Sequence, residues 1–476
     1  MKRHICTIIL LFCSCLTPAT GSTQAASSNE LAIVGGQLVD GFGGKPLQNS
    51  VILVRGNRIV AVGQVGVLDI PESAKVIDSN GMTVIPGLWE SHGHLMHVGE
   101  GDPGEFPADF NARANEVMSA VAKISLLSGI TTFRDTGGPI EAQLALREEI
   151  ESGRKIGPRL LFAGPILKQS KPGASARGNP FLINSVKTAR EATAKVIALG
   201  VDQIKVYGFW DLEILQAVTS TAHAAGLGVD ADLRHILAYR TAVEAGVDRM
   251  HHVFTADALS DYDAEDIRLL IRGIKPSAAG PMANILRGPY IVPTIEMRQA
   301  YVRVFSFPEL LDDPRLAAQY PPDVYTHLRE TWVNPPSVPW GIGAPERVKV
   351  AKAKLKRFIE AGGREQIVAG TDAGAPFNLH SPLTRELQNL HQSGLTAMEV
   401  IQSATLRPAQ MQGLEQELGT VTAGKLADMV IVDGDPLQDV SLLQHKIVMV
   451  IKNGQTFPIN HLPALGKSHI ARQESR

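Results

Sequence analysis

His92 and His94 stand one residue apart at the end of the run Pro86-Gly87-Leu88-Trp89-Glu90-Ser91-His92-Gly93-His94. Strand side chains alternate, so a His-x-His pair leaving a strand aims both imidazoles to one side. Such a pair suits a divalent cation, although surface histidines are often spelled the same way. Other stretches carry residues of the same kind. Gly200-Val201-Asp202-Gln203-Ile204-Lys205-Val206-Tyr207 reads as a strand with a lysine inside it. Burial favours the neutral amine, which can take up carbon dioxide; the resulting carbamate has two oxygens able to bridge two cations. A salt-bridged or snorkelling lysine is the competing account. A further strand ends in His251-His252, and another in Gly370-Thr371-Asp372-Ala373-Gly374. An apolar run closing on that aspartate suits a carboxylate held at a strand tip, with glycines allowing close approach.

The elements that must position these residues follow from the pattern around them. The middle of the chain alternates strand-like and helix-like segments, as parallel βα units do. Candidate strands lead to His92, Asp135, Gly164, Tyr207, Asp232, His252, Thr294 and Asp372. Eight such strands match a (β/α)8 TIM barrel, whose sites are built at the C-terminal strand ends. On either side of this region the texture is β-rich. Leu31–Val34, Ser50–Val54 and Arg58–Val62 precede it; Asp428–Val432 and Ile447–Ile451 follow it, with Lys452-Asn453-Gly454-Gln455 as a hairpin turn. The expected fold is therefore α/β. Residues 86–414 form the barrel, and residues 26–85 plus 415–465 form one composite β-sandwich domain. Residues 301–345 exceed the minimal repeat and are rich in proline and aromatics. They are expected to form a lid over the barrel mouth, with a surface or interface elaboration as the alternative.

A chain of 476 residues suits one large barrel plus a smaller module. Its formal net charge of −2, with no basic stripe, argues against nucleic acid or an anionic membrane surface as partner. The start is different in kind. Lys2-Arg3-His4 precedes the apolar run Ile5–Leu16 and Pro18. This is the pattern of a secretory signal peptide, and the run is shorter than the roughly 20 residues that span a bilayer. Cleavage after Thr23-Gln24-Ala25 would make residues 1–25 the signal; Ala19-Thr20-Gly21 competes, and an uncleaved anchor or a lipoprotein site at Cys15 are alternatives. The expected location is secreted or periplasmic, without a stable membrane span once the signal is removed. Cys6, Cys13 and Cys15 all lie in this segment, which excludes thiolate catalysis and thiolate metal sites from the mature chain. The expected partner is a small-molecule substrate, with assembly into a homo-oligomer as the alternative to a monomer.

Taken together, the motifs resemble the amidohydrolase superfamily, in particular its imidazolonepropionase-like and Xaa-Pro dipeptidase-like (prolidase-type) members. The resemblance spans nearly the whole mature chain. It rests on Pro86–His94, Gly129–Asp135, Lys205, His252 and Gly370–Gly374, and on Gly419–Val421, Gly424–Asp428 and Asp433–Pro436 near the end. It implies a site for one or two divalent ions, commonly zinc. His92, His94 and Asp372 would hold one ion, carboxylated Lys205 would bridge, and His252 would hold the second; His251 is a neighbour. At the end of strand five, where family members carry a ligand histidine, this sequence has Asp232. Carboxylate remains an accepted zinc ligand, and it would favour a harder ion such as manganese.

The implied chemistry is hydrolysis by metal-activated water, with Asp372 as the catalytic proton carrier. Candidate substrate-binding residues are Arg134, Tyr207 and His380. Arg134 would orient a substrate carboxylate or pair with Asp135; Tyr207 would donate to an intermediate or simply pack. The expected reaction is cleavage of an amide bond in an Xaa-Pro dipeptide or N-acyl amino acid. Hydrolysis of cyclic amides or lactones is the second reading, and a metal-poor, ligand-binding homologue is the third.

Overall fold

A computed structural model describes residues 30–97, 113–170, 181–208, 210–232, 238–255, 264–272, 288–306, 317–318, 320–333, 344–375, 377–380 and 383–459. The N-terminal segment read as a signal peptide lies outside them, as does much of 301–345.

The chain is α/β. Strands Leu88–Gly93, Ile130–Asp135 and Arg159–Phe162 form a parallel three-stranded sheet. Strands Leu167–Lys168, Ile204–Tyr207, Val229–Asp232, Arg249–His251 and Tyr290–Val292 form a parallel five-stranded sheet. Most of these strands are buried along their whole length, as expected where helices cover one face and side chains fill the other. Helices such as Val186–Ala198 supply the crossovers; its Ser185 cap accepts the Thr188 N–H in a capping box.

Six of the eight expected strands end within two residues of the expected position without further change, and two differ. The third segment stops at Phe162 and the chain re-enters as the extra two-residue strand Leu167–Lys168. The eighth, leading to Asp372, makes only isolated bridges, Ile291↔Ile367 and Gly93↔Ala373. The reason is local. Asp372 sits in the left-handed region at φ 63°, and the Thr371 N–H is taken by the Glu90 side chain instead of a strand. The segment still spans the two sheets. Val368 donates to the Ile291 carbonyl at 2.9 Å, Asp372 to that of His92 at 2.7 Å, and His94 donates to that of Ala373 at 2.8 Å.

The two β-rich ends come together. Met82–Pro86 pairs with Met429–Asp433 in a five-stranded sheet that also holds Ile447–Lys452 and Gln455–Pro458. Asn453 and Gly454, at φ 48° and 74°, make the predicted hairpin turn. A four-stranded sheet of Glu30–Val34, Ser50–Arg55, Arg58–Gln64 and Lys75–Asp78 shares its core: Ile33, Ile52 and Ile59 pack with Val84, Met429, Ile431 and Ile451.

The proline-rich 301–345 stretch is not simply a loop. Its described parts include the helices Ile295–Ser306, Pro322–Val333 and Ala344–Glu360. Tyr301, Tyr320 and Trp332 join the main core, with the Tyr301 and Trp332 rings 5.8 and 5.9 Å from that of Phe377.

Ile431, on Met429–Asp433, packs in the core shared by the two sheets and is 1% exposed. Ile431→Ala is expected to lower unfolding free energy by about 2–5 kcal/mol, read by urea denaturation. A change below about 0.5 kcal/mol would show that the two chain ends are not energetically coupled here.

Candidate metal centre

Strand ends deliver every expected ligand to one place. His92, His94 and Asp372 present ligand atoms that lie within 4.8 Å of one another, and so do His92, Asp232 and His252. Asp372 Oδ1 is 3.3 Å from both His92 Nε2 and His94 Nε2, and its Oδ2 is 3.8 Å from His252 Nε2. Asp232 Oδ2 lies 3.3 Å from His252 Nε2 and 3.8 Å from Lys205 Nζ. The aspartate at the end of the fifth strand therefore faces into the cluster, as the ligand reading requires. His92 Nε2, His252 Nε2 and Lys205 Nζ are buried and make no hydrogen bond. Buried polar atoms are ordinarily satisfied. Their convergence on one point, with two carboxylates, fits a divalent cation with N and O ligands.

The backbone is bent to achieve this. His252, Thr294 and Asp372 all have positive φ, at 62°, 54° and 63°. Each such non-glycine residue costs on the order of 1–3 kcal/mol, and such residues persist where packing over-determines them. Here the restraints are visible. Glu90 accepts from the backbone of His92 at 2.9 Å and of Thr371 at 3.0 Å, and from the Thr371 hydroxyl at 2.7 Å. One carboxylate thus locks the first strand tip to the last. Asn378 donates to the carbonyls of Thr371 and Asp372 at 2.8 and 2.9 Å.

Imidazole orientation follows from partners on the far side of each ring. Thr294 donates its hydroxyl to the Pro293 carbonyl at 2.7 Å, so it accepts from His252 Nδ1, also at 2.7 Å. His94 Nδ1 donates to the Gly137 carbonyl at 3.2 Å. Both rings therefore offer the Nε2 lone pair to the cluster. His92 Nδ1 meets His251 Nδ1 at 2.6 Å. His251 is thus a neighbour of the ligands, outside the cluster itself.

Charge is arranged accordingly. Burial pushes the Asp372 carboxyl up, but the imidazoles of His92, His94 and His252 outweigh it and hold the group well below its usual range. Burial lowers the Lys205 ammonium, and the acids Asp232, Asp230 and Asp372 only partly oppose it. His251 is pushed down to about 3, chiefly by burial.

The substrate-side expectations fare differently. Arg134 is corrected. It is fully buried, and its guanidinium donates to Asp230 at 2.7 Å and to the Ser91 carbonyl at 3.0 Å. Its ion pair is with Asp230 and not with Asp135, whose carboxylate accepts from Leu95 N and Gly137 N. Its charge is needed beneath the cluster, where Asp230 would otherwise be an unpaired buried anion. His380 is buried, 2% exposed, and its Nε2 donates to the His97 carbonyl at 2.7 Å. Tyr207 is half-buried on the same strand face as Lys205, with Lys168 Nζ 4.7 Å above its ring. Lys168 lines a cavity of about 400 Å³ with Gly138, Gly164, Pro165, Ile166 and Phe181.

Sequence reading missed Glu90, Asp230 and Thr294 as supports. The available signal was a glutamate and an aspartate inside otherwise apolar strand runs.

Glu386 supports the same wall. It is buried and accepts from the backbone of Ile295 at 3.1 Å and Glu296 at 2.7 Å, just beyond Thr294. Burial pushes its carboxyl from 4.5 up to about 8. The folded state therefore binds this proton more tightly than the unfolded chain. The stabilisation is complete below pH 4.5 and fades as pH rises through about 8. Relative to Glu386→Gln, the wild type is expected to lose up to about 1.4 kcal/mol per pH unit across that window, by urea unfolding. Parallel pH profiles for the two proteins would refute the assignment.

Comparison with known proteins places this geometry in context. Residues 83–457 match the model of the amidohydrolase family. An uncharacterized protein of Mycobacterium tuberculosis is 26% identical over 394 residues, covering 79% of this chain and 86% of that one. A crystal structure of a Xaa-Pro dipeptidase with methionine bound in its active site aligns with TM-score 0.69 and 24% identity, over 90% of this chain and 100% of that one. Molinate hydrolase aligns with TM-score 0.69 and 22% identity, over 92% and 96%. At these identities the structural likeness is one of fold, and it implies a TIM-barrel-like architecture.

Proposed function

Because the chain belongs to the amidohydrolase family and is thereby a hydrolase acting on carbon–nitrogen bonds, we propose that it is a metal-dependent enzyme cleaving the amide bond of a small substrate, an Xaa-Pro dipeptide or an N-acyl amino acid. The observation that carries this reading is the convergence of His92, His94, Asp232, His252 and Asp372 at the strand ends, beside a buried lysine. In the proposed architecture residues 86–414 form the (β/α)8 barrel, and the paired chain ends form the β-sandwich. Residues 1–25 direct export to the periplasm or beyond.

His92, His94 and Asp372 would hold one ion, with His252, Asp232 and Lys205 as its carbamate completing the set. Zinc suits the imidazoles, and manganese the carboxylates. A divalent ion bound there lowers the pKa of coordinated water to about 7 and polarises a carbonyl oxygen. The protein's own part is proton traffic and orientation. Asp372 is ionised, buried and at the centre of the imidazole ring set, so it can accept a proton from attacking water. The same carboxyl then delivers that proton to the leaving amine, which cannot depart as an anion at neutral pH. Tyr207, leaving the same strand face as Lys205, is positioned to donate to the oxygen that gains charge. The Xaa-Pro dipeptidase neighbour supports the dipeptide class, and the apolar and cationic lining beside Lys168 supports a substrate carrying a carboxylate.

Purified protein is expected to carry near-stoichiometric zinc or manganese by elemental analysis, and to hydrolyse members of a panel of Xaa-Pro dipeptides and N-acyl amino acids. Failure to take up any divalent metal would leave the ligand-binding reading in its place. Turnover of cyclic amides or lactones alone would move the substrate class. Asp372→Asn should lower kcat by about 10²–10⁴-fold with circular dichroism unchanged. Wild-type turnover in that variant removes Asp372 as proton carrier.

Asp232→His supplies the neutral ligand that the resemblance places at this position. It is expected to tighten zinc relative to manganese, measured by competition for the apo-protein. An unchanged zinc-to-manganese preference would show that Asp232 does not touch the ion.

A further inference from the structure

Three imidazoles face the cluster, and two of them have their far nitrogens tied to groups that can only accept. His94 Nδ1 meets a backbone carbonyl, and His252 Nδ1 meets a threonine hydroxyl whose proton is already donated. His92 is different. Its Nδ1 faces another imidazole nitrogen, His251 Nδ1, at 2.6 Å, inside the fully buried interior. Two ring nitrogens this close must share one proton between them; two protons would collide and none would leave two lone pairs opposed. That contact alone permits either direction.

The far side of His251 decides it. Its Nε2 lies 3.6 Å from Asp230 Oδ1, beyond hydrogen-bond length but in direct line of charge. Asp230 is ion-paired to two guanidiniums, so its oxygens face His251 as acceptors only. Arg134 is 2.7 Å away and Arg249 3.3 Å, and Arg249 is itself anchored to the Met411 carbonyl at 2.8 Å. A neutral His251 thus places its single proton on Nε2, facing the carboxylate, and its lone pair on Nδ1, facing His92. The proton between the rings then belongs to His92 Nδ1, which frees His92 Nε2 as a ligand.

We propose that His251 is a positioning residue: it accepts from His92 Nδ1–H and, with Asp230 behind it, holds His92 in the tautomer that ligates metal. Outer partners of metal-bound histidines typically contribute 10–100-fold in affinity, and here an imidazole fills the place usually taken by a carboxylate or carbonyl. The proposal rests on the metal-dependent reading given above.

The test compares zinc affinity by chelator competition in wild type, His251→Phe and His251→Asn. Phenylalanine keeps the ring and removes the acceptor. Asparagine restores an acceptor oxygen near the Nδ1 position. His251→Phe should bind zinc about 10–100-fold more weakly, and His251→Asn should recover most of the loss. Thermal melts of the apo-proteins separate this from simple destabilisation, which would lower both variants without rescue. Equal zinc affinity in all three, or equal loss in both variants, overturns the role. A wild type that binds no zinc overturns the metal reading itself. Should His251→Phe fail to fold, ¹⁵N–¹H correlation of histidine-labelled, zinc-loaded wild type gives the answer directly. A proton on His92 Nδ1 supports the proposal, and one on His251 Nδ1 refutes it.

Discussion

Asp232, Asp372 and Lys205 share one buried space, each less than a tenth exposed, so their charges must offset one another. A lone buried carboxylate or ammonium carries a desolvation penalty of several kcal/mol, and removing one member of such a set leaves the rest uncompensated. Everything around the strand ends can be read as a response. Asp230 beneath the cluster needs Arg134 and Arg249, and Arg249 needs the Met411 carbonyl. The polar column therefore runs from the ligand cluster towards the opposite end of the strands. Asp230, Asp232, Lys205 and Arg249 come from neighbouring strands of one sheet, and Arg134 reaches them from the other. This is why the site can sit on rigid elements while the surrounding segments elaborate freely.

The same constraint explains the strained backbone. A strand that continued straight past His252 or Asp372 would alternate its next side chain to the other face. Turning into the left-handed region at those residues lets the strand end while its last side chain points inward. Glu90 then replaces the ladder hydrogen bonds that the turn at Asp372 removes. The strain is local and its compensation is local, which is how a site stays precise at a modest expense in stability.

Much of this was legible in the sequence. Period-two alternation located His92 and His94, and the Gly-Thr-Asp-Ala-Gly tip located Asp372, because strand ends are short and punctuated by glycine. Resemblance carried the joint assignment of Lys205 and His252, since neither residue is distinctive by itself. The pairing of the two chain ends was also readable, from matching β texture and turn chemistry at Asn453-Gly454. What could not be read were partners across strands. Arg134 resembles a substrate anchor in one dimension; only the packing of its sheet against the sheet that holds Val229–Asp232 brings Asp230 to 2.7 Å from it. The prolines and aromatics of 301–345 suggested a lid; its described parts include helices, with Tyr301 and Trp332 packed on Phe377.

Asp232 and His251 are best understood as a pair. An aspartate at the end of the fifth strand adds a negative charge to the ligand set, 3.3 Å from His252 and 3.8 Å from Lys205. A carboxylate at position 251, directly against His92, would add a second one to a space already holding Asp230, Asp232 and Asp372. An imidazole there can play the same hydrogen-bonding part without charge. On the proposed reading the neutral ring leaves room for an acidic ligand on the adjoining strand, and the two guanidiniums below balance Asp230. On the proposed metal-dependent reading, the departure at Asp232 is a redistribution of charge within a site that would still hold a cation.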